Sequence, residues 1–134
     1  MTILCAYIPG PLGQQVLDES VAEAQRRDTS LTVLNTTRGD TAVDEHFLSA
    51  EQADHLKSQL TDQGLEVTVR NHVAKGRISD EIVDQAQELA AELIVIGVRH
   101  RTPVGKFLLG STAQEVILDA TCPVLTVKTA RQTT

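Results

Sequence analysis

Apolar and polar positions fall into blocks along the chain, and the period of each block predicts an element. Residues 2–8, TILCAYI, are a continuous apolar run of strand length. The turn residues PGPLG, 9–13, follow at once. From Leu12 the apolar positions Val16, Leu17, Val21 and Ala24 recur at helical spacing, and Arg26 and Arg27 place positive charge where a helix C-terminus favours it. LTVLN, 31–35, reads as a second strand, and the polar stretch 36–46 has no periodicity. Phe47, Leu48, Ala53, Leu56 and Leu60 predict a helix over 47–60, with Gly64 in a left-handed cap position after it. LEVTVRN, 65–71, alternates and predicts a third strand. A third helix is expected from Ser79 through Ala91, with Asp80 and Glu81 in its first turn and Ile82, Val83, Ala86, Leu89 and Ala90 as its buried stripe. Leu93 to Ile96 form a fully apolar fourth strand. After segment 97–111, GVRHRTPVGKFLLGS, a helix is expected from Thr112 to about Asp119, and Pro123 opens a fifth strand, PVLTVK.

Strands and helices thus alternate. That order argues for an α/β fold: an open five-stranded parallel sheet with helices on both faces, connected by right-handed crossovers. No repeat or linker interrupts it, so one domain is expected over 1–129, with a flexible tail at 130–134. In such a sheet the ligand site lies beyond the strand C-termini, where neighbouring loops diverge to opposite faces. For strand order 3-2-1-4-5 that crevice falls between strands one and four. The loops bounding it are 9–13 and 97–110, and both carry glycine.

Composition narrows the partners. Hydrophobic residues make up 41% of the 134-residue chain and aromatic ones 2%, so the core must be aliphatic. Twelve basic against 18 acidic residues leave a net charge of −6, a poor match for non-specific nucleic-acid binding. Tyr7, Phe47 and Phe107 are too few to stack bases. No apolar run approaches the roughly 18 residues of a membrane span, and MTILCAYIPG lacks the basic start of a signal peptide. Cys5 and Cys122 stand far apart without metal-ligand spacing, as in a reduced cytoplasmic protein.

Segment 97–111 has the richest chemistry. Gly97 permits unusual torsions or a close backbone approach. Arg99, His100, Arg101 and Lys106 gather positive charge in an otherwise acidic chain. Gly110, Ser111 and Thr112 stand at a helix start, where free N–H groups and the helix dipole suit an anion such as phosphate. Ser111 or Thr112 can also cap the helix. Equally, Gly110-Ser111 can be a plain N-cap and the basic residues a solvated surface. HRTPVGKF is no P-loop, because His100 and Phe107 occupy the positions of the first glycine and the Ser/Thr. PGPLG lacks the spacing of a dinucleotide fingerprint. Asp44, Glu45, His46 and His55 fit no metal template and read as a solvated face. His72 reads as an ordinary loop histidine after strand three, and Cys122 as a small packed hydrophobe. Ser111 has His100 nearby but no carboxylate to orient it, so no catalytic residue is assigned.

The chain as a whole resembles the universal stress protein family. The likeness is strongest over 90–128, AAELIVIGVRHRTPVGKFLLGSTAQEVILDATCPVLTVK. Members typically carry G-x2-G-x9-G-[ST] after strand four, then a helix and Cys-Pro-Val. Here Gly97, His100, Gly110 and Ser111 keep that spacing, and Cys122-Pro123-Val124 follow. The resemblance implies a Rossmann-like, adenine nucleotide alpha-hydrolase-like fold with sheet order 3-2-1-4-5. It also implies a homodimer paired through the last strand, Pro123 to Lys128, and a regulatory rather than enzymatic role in stress responses, with an unidentified protein partner. One branch of the family binds ATP in the crevice. On that basis an adenine nucleotide, ATP or AMP with optional Mg²⁺, is expected against Pro9, Gly10, Gly97, Arg99, His100, Arg101, Lys106, Gly110, Ser111 and Thr112. Two departures bear on it in opposite directions: Ile8 stands where binding members usually have Asp, which weakens the case, and His100 replaces a motif glycine, where a side chain either blocks the phosphate or donates to it, with Arg99, Arg101 and Lys106 compensating in part. They leave open a homodimeric interaction module that binds no nucleotide and, third, a phosphate-ester hydrolase.

Overall fold

The computed structural model describes residues 1–37, 48–98 and 110–128. In chain order the elements are β1 (Thr2–Ala6), α1 (Pro11–Arg27), β2 (Ser30–Thr37), α2 (Ala50–Asp62), β3 (Val67–Val73), α3 (Ile78–Glu88), β4 (Leu93–Val98), α4 (Ser111–Asp119) and β5 (Val124–Lys128). The strands form one parallel sheet in the order β3-β2-β1-β4-β5. The expected α/β architecture is therefore the observed one. The expected tail at 130–134 lies outside the described residues.

Strands β1 and β4 are almost wholly apolar because both of their faces are covered. Ile3, Cys5, Leu31, Val33, Leu93 and Val95 point to one side, where they pack with Val16, Leu17 and Ala24 of α1 and Leu56 and Leu60 of α2. Leu4, Leu34, Ile94 and Ile96 point to the other, against Ile82, Val83 and Ala86 of α3 and Val116 of α4. Each large aliphatic side chain so buried contributes about 1.5–3 kcal/mol before entropy is subtracted. Cys5 lies wholly inside the first layer, and burial pushes its thiol up to about 12 against a lowering hydrogen bond from Ser20. That thiol stays protonated and inert. Cys122 is only half-buried, beside the second layer.

Several boundaries differ from the sequence reading, each for a physical reason. The first strand ends at Ala6 instead of residue 8, because the chain must climb over the sheet to start α1. The second runs on to Thr37: its polar end, Asn35-Thr36-Thr37, pairs with Asn71, His72 and Val73 and is buried by that pairing. His72 is thus a strand residue, not a loop one, and its Nδ1 lies 3.0 Å from Glu81 Oε1. Helix α2 starts later than expected, at a capping box in which Ser49 and Gln52 satisfy each other's backbone N–H groups. Phe47, read as its first apolar residue, lies outside the described residues. Gly64 takes the expected left-handed conformation, φ 85°.

Helix α3 starts one residue before Ser79 and stops at Glu88, not Ala91. Ala90 turns left-handed at φ 51°, and Ala91 N–H donates back to Ala86 O at 2.9 Å. Leu89 and Ala90 continue the apolar pattern but belong to the closing turn. Strand β4 extends past Ile96 to Val98, and β5 begins after Pro123, whose carbonyl accepts from Ile94 N–H at 3.0 Å.

Candidate functional site

The β1 rim of the crevice is built by close packing. After Ala6, Tyr7 N–H still donates to Leu34 O at 2.9 Å, and then the chain leaves the sheet. Gly10 turns it with φ 128°, a conformation side chains rarely adopt, and Pro11 opens α1 at the position proline tolerates best. Gly13 is set against the turn so tightly that a Cβ there would lie 1.6 Å from Ile8 O. Asn35 secures the same corner. Its Nδ2 donates to Tyr7 O at 3.0 Å, and its Oδ1 accepts from Leu48 N–H at 3.0 Å. Asn71 Nδ2 donates to Leu48 O at 2.9 Å, so two strand-end amides pin the approach to α2. Sequence reasoning missed both asparagines, which stand at the ends of the two predicted strands 31–35 and 65–71.

Gly97 lies in β4 with ordinary strand torsions. A Cβ there would come within 2.9 Å of Leu12 Cγ and 3.0 Å of Val16 Cγ2. Its missing side chain therefore lets α1 settle onto the sheet. That corrects the expectation of unusual torsions at Gly97 and explains the close approach by helix packing.

The α4 rim is open. Gly110 is the N-cap, with φ −62° and ψ 153°, and no side chain caps the helix. Neither Ser111 nor Thr112 takes the capping role expected of it, because the helix already includes both. Gly110 O accepts from Gln114 N–H at 3.0 Å, while the N–H groups of Ser111, Thr112 and Ala113 have no intrahelical acceptor. Ala113 and Val116 anchor the helix in the core. The hydroxyl of Ser79, itself 2% exposed, donates to the Glu115 carboxylate, and Arg77 Nη1 lies 3.4 Å from the same group. A hydrogen bond to Asp80, with Glu115 and Asp119 nearby, raises the Arg77 guanidinium further above its usual range. These contacts tie the first turns of α3 and α4 together and so hold the open helix end at the crevice mouth.

Between the rims lies a cavity of about 670 Å³, within the roughly 300–1,000 Å³ usual for small-molecule sites. Leu34, Ile78, Ile82 and Ile96 make its inner wall apolar, and no described lining residue is charged. Ile8, 39% exposed, sits on the β1 rim. Thr36 also lines it, and among the described residues its buried Oγ1 has no hydrogen-bond partner. Of the expected site residues, Pro9, Gly10, Gly97, Gly110, Ser111 and Thr112 all meet around this cavity. Arg99, His100, Arg101 and Lys106 lie outside the described residues, as do Asp44, Glu45 and His46. His55 is exposed on α2. No described helix is long and apolar enough to cross a membrane.

A parallel sheet with a cavity at the β1–β4 divergence and an uncapped helix start at its mouth defines a doubly wound α/β domain with a switch-point crevice. The universal stress protein family model matches residues 1–128, and the chain belongs to that family. It is 40% identical over 126 residues to a universal stress protein of Mycolicibacterium smegmatis, spanning 94% of this chain and 96% of that one. Its fold is similar to that of a universal stress protein from Archaeoglobus fulgidus, with a TM-score of 0.76, 31% identity, and coverage of 93% of this chain and 96% of the other. An Archaeoglobus fulgidus universal stress protein in complex with dAMP matches with a TM-score of 0.69 and 28% identity, over 93% of this chain and 94% of that one.

Proposed function

We propose that the chain is a regulatory stress-response protein that holds an adenine nucleotide, AMP or ATP, in the crevice between β1 and β4. The observation that carries this reading is a nucleotide-sized cavity with an apolar interior and, at its mouth, the N–H groups of Ser111, Thr112 and Ala113, which have no acceptor within their helix. The N–H groups and the α4 dipole suit the phosphate, and the aliphatic wall suits the base. Arg99, His100, Arg101 and Lys106 belong to the segment joining Val98 to Gly110, both of which line the cavity, and their charge draws the anion in. The dAMP complex of the 28%-identical relative supports the same ligand class. Mg²⁺ is optional in this scheme. The role is binding rather than turnover, in the cytoplasm, with the signal passed to a protein partner. A homodimer through β5 would cover an edge that has β4 on one side and half-buried Leu125 and Val127 along it.

Ile8 supports a second reading, a homodimeric module that binds no nucleotide, because it places an aliphatic side chain on the rim. Thermal-shift titration with AMP, ADP and ATP, with and without Mg²⁺, separates the two. Nucleotide about 100-fold above its Kd adds about 2.7 kcal/mol, a rise of several degrees in Tm. No rise at millimolar nucleotide, in folded protein, rejects the nucleotide reading. Ser111→Pro gives a finer test. Proline suits the first position of a helix and removes one N–H donor. Nucleotide affinity is expected to fall about tenfold or more, with stability within about 0.5 kcal/mol of the parent. Equal affinity would place the phosphate elsewhere.

A further inference from the structure

Ser79 stands at the second position of α3, where a serine hydroxyl can bond back to its own backbone. Here it leaves its helix and donates to the Glu115 carboxylate of α4. Ser79 is 2% exposed, so the bond is sheltered from water, and it is charge-assisted, the stronger kind of side-chain hydrogen bond. Arg77 adds a weaker contact. Its side chain is 64% exposed and its Nη1 stands 3.4 Å from the same carboxylate, so solvent screens most of the attraction. Helix α4 needs such a tie. It has nine residues, too few to be stable alone, and of its first five only Ala113 is buried. Glu115 follows Ser111 by four residues and so lies one turn along the same side of the helix. Ile78, the neighbour of Ser79, lines the crevice, as do Ser111, Thr112 and Ala113. The Ser79–Glu115 bond therefore joins α3 to α4 within one turn of the N–H groups at the crevice mouth.

We infer that Ser79 and Glu115 are positioning residues: their hydrogen bond orients the first turn of α4 and sets how tightly the phosphate of the nucleotide, but not its nucleoside part, is held. Both roles rest on the nucleotide reading above. Neither residue lines the cavity, so both act through the backbone of α4. Three N–H groups grip one phosphate only when they converge on it, and hydrogen bonds weaken steeply as their angles open. A tilt of α4 therefore costs phosphate affinity. It leaves in place the aliphatic wall of Leu34, Ile82 and Ile96, which belongs to the sheet and α3. The negative charge of Glu115, one turn from that grip, opposes an anion. What α4 needs at position 115 is an acceptor for the Ser79 hydroxyl, and the charge is incidental to it.

Amide NMR titration of the isotope-labelled full chain with AMP and with adenosine tests this. In the wild type AMP moves the amide signals of Ser111, Thr112 and Ala113. Ser79→Ala weakens AMP about five- to tenfold and leaves adenosine within about twofold. Glu115→Gln still offers the Ser79 hydroxyl a carbonyl oxygen, and it holds AMP within about twofold of the wild type or tighter. Ser79→Ala combined with Glu115→Gln loses as much as Ser79→Ala alone. Undiminished AMP binding by Ser79→Ala overturns the positioning role. So does an equal loss of AMP and adenosine, which marks a residue that serves stability alone. A loss in Glu115→Gln as large as in Ser79→Ala means that the charge pair with Arg77 holds α4, and it overturns the assignment to the hydroxyl. AMP that binds the wild type without moving the three amide signals places the phosphate elsewhere and overturns the inference while sparing nucleotide binding. A wild type that binds neither ligand overturns the nucleotide reading itself, and this inference with it.

Discussion

Where α1 packs on the sheet, at Gly13 and Gly97, glycine is present because nothing larger fits. A Cβ at Gly13 would sit 1.6 Å from Ile8 O, and one at Gly97 would meet Leu12 and Val16 at 2.9–3.0 Å. On the α4 side, Gly110 has open space in the direction a Cβ would take, ordinary torsions, and a helix end that no side chain caps. In sequence the two loops look like equivalent glycine-bearing rims. In the fold Gly13 and Gly97, one from each loop, are used up in packing α1 against the sheet, while Gly10 serves a turn at φ 128°. Gly110 instead starts a helix whose first N–H groups have no acceptor within it.

The contrast sets an order of expected effects. Gly13→Ala drives a methyl group into backbone that cannot yield without moving the β1–α1 turn, and it is expected to cost about 3 kcal/mol or more. The urea midpoint with an unchanged m-value would read this, and a loss below about 1 kcal/mol would mean the turn is loose. Gly97→Ala meets side chains that can shift by a few tenths of an ångström, so the expected cost is lower, about 1–3 kcal/mol by the same measurement. A cost equal to that of Gly13→Ala would mean α1 is held as rigidly on β4 as on its own turn. Gly110→Ala is expected to change stability by no more than about 0.5 kcal/mol, since its torsions suit any residue. A loss as large as at Gly97 would show that the α4 rim is packed after all, and the contrast between the rims would fall.

Much of the fold was legible in local pattern. The central strands announce themselves as unbroken aliphatic runs because two helical layers cover them, and α1 through its stripe of Val16, Leu17 and Ala24. The crevice was legible as a place: six of the ten expected residues, from Pro9 and Gly10 to Ser111 and Thr112, line one cavity. Their individual roles were less legible. Ser79 has the chemistry of an N-cap, yet its hydroxyl is committed to Glu115, 36 residues away. Thr36, Thr37 and His72 looked like loop residues because they are polar, and only pairing between β2 and β3 buries the threonines and makes all three strand.

What the sequence by itself determined was the order of elements, the aliphatic core and the two loops that meet, since these follow from periodicity and topology rules that act over short stretches of chain. Only the tertiary structure decided which glycines serve packing and which leave a vacancy. It also decided that Asn35 and Asn71 clamp Leu48. Those outcomes depend on distances between atoms far apart in the chain, fixed to tenths of an ångström by close packing, and no local pattern encodes them.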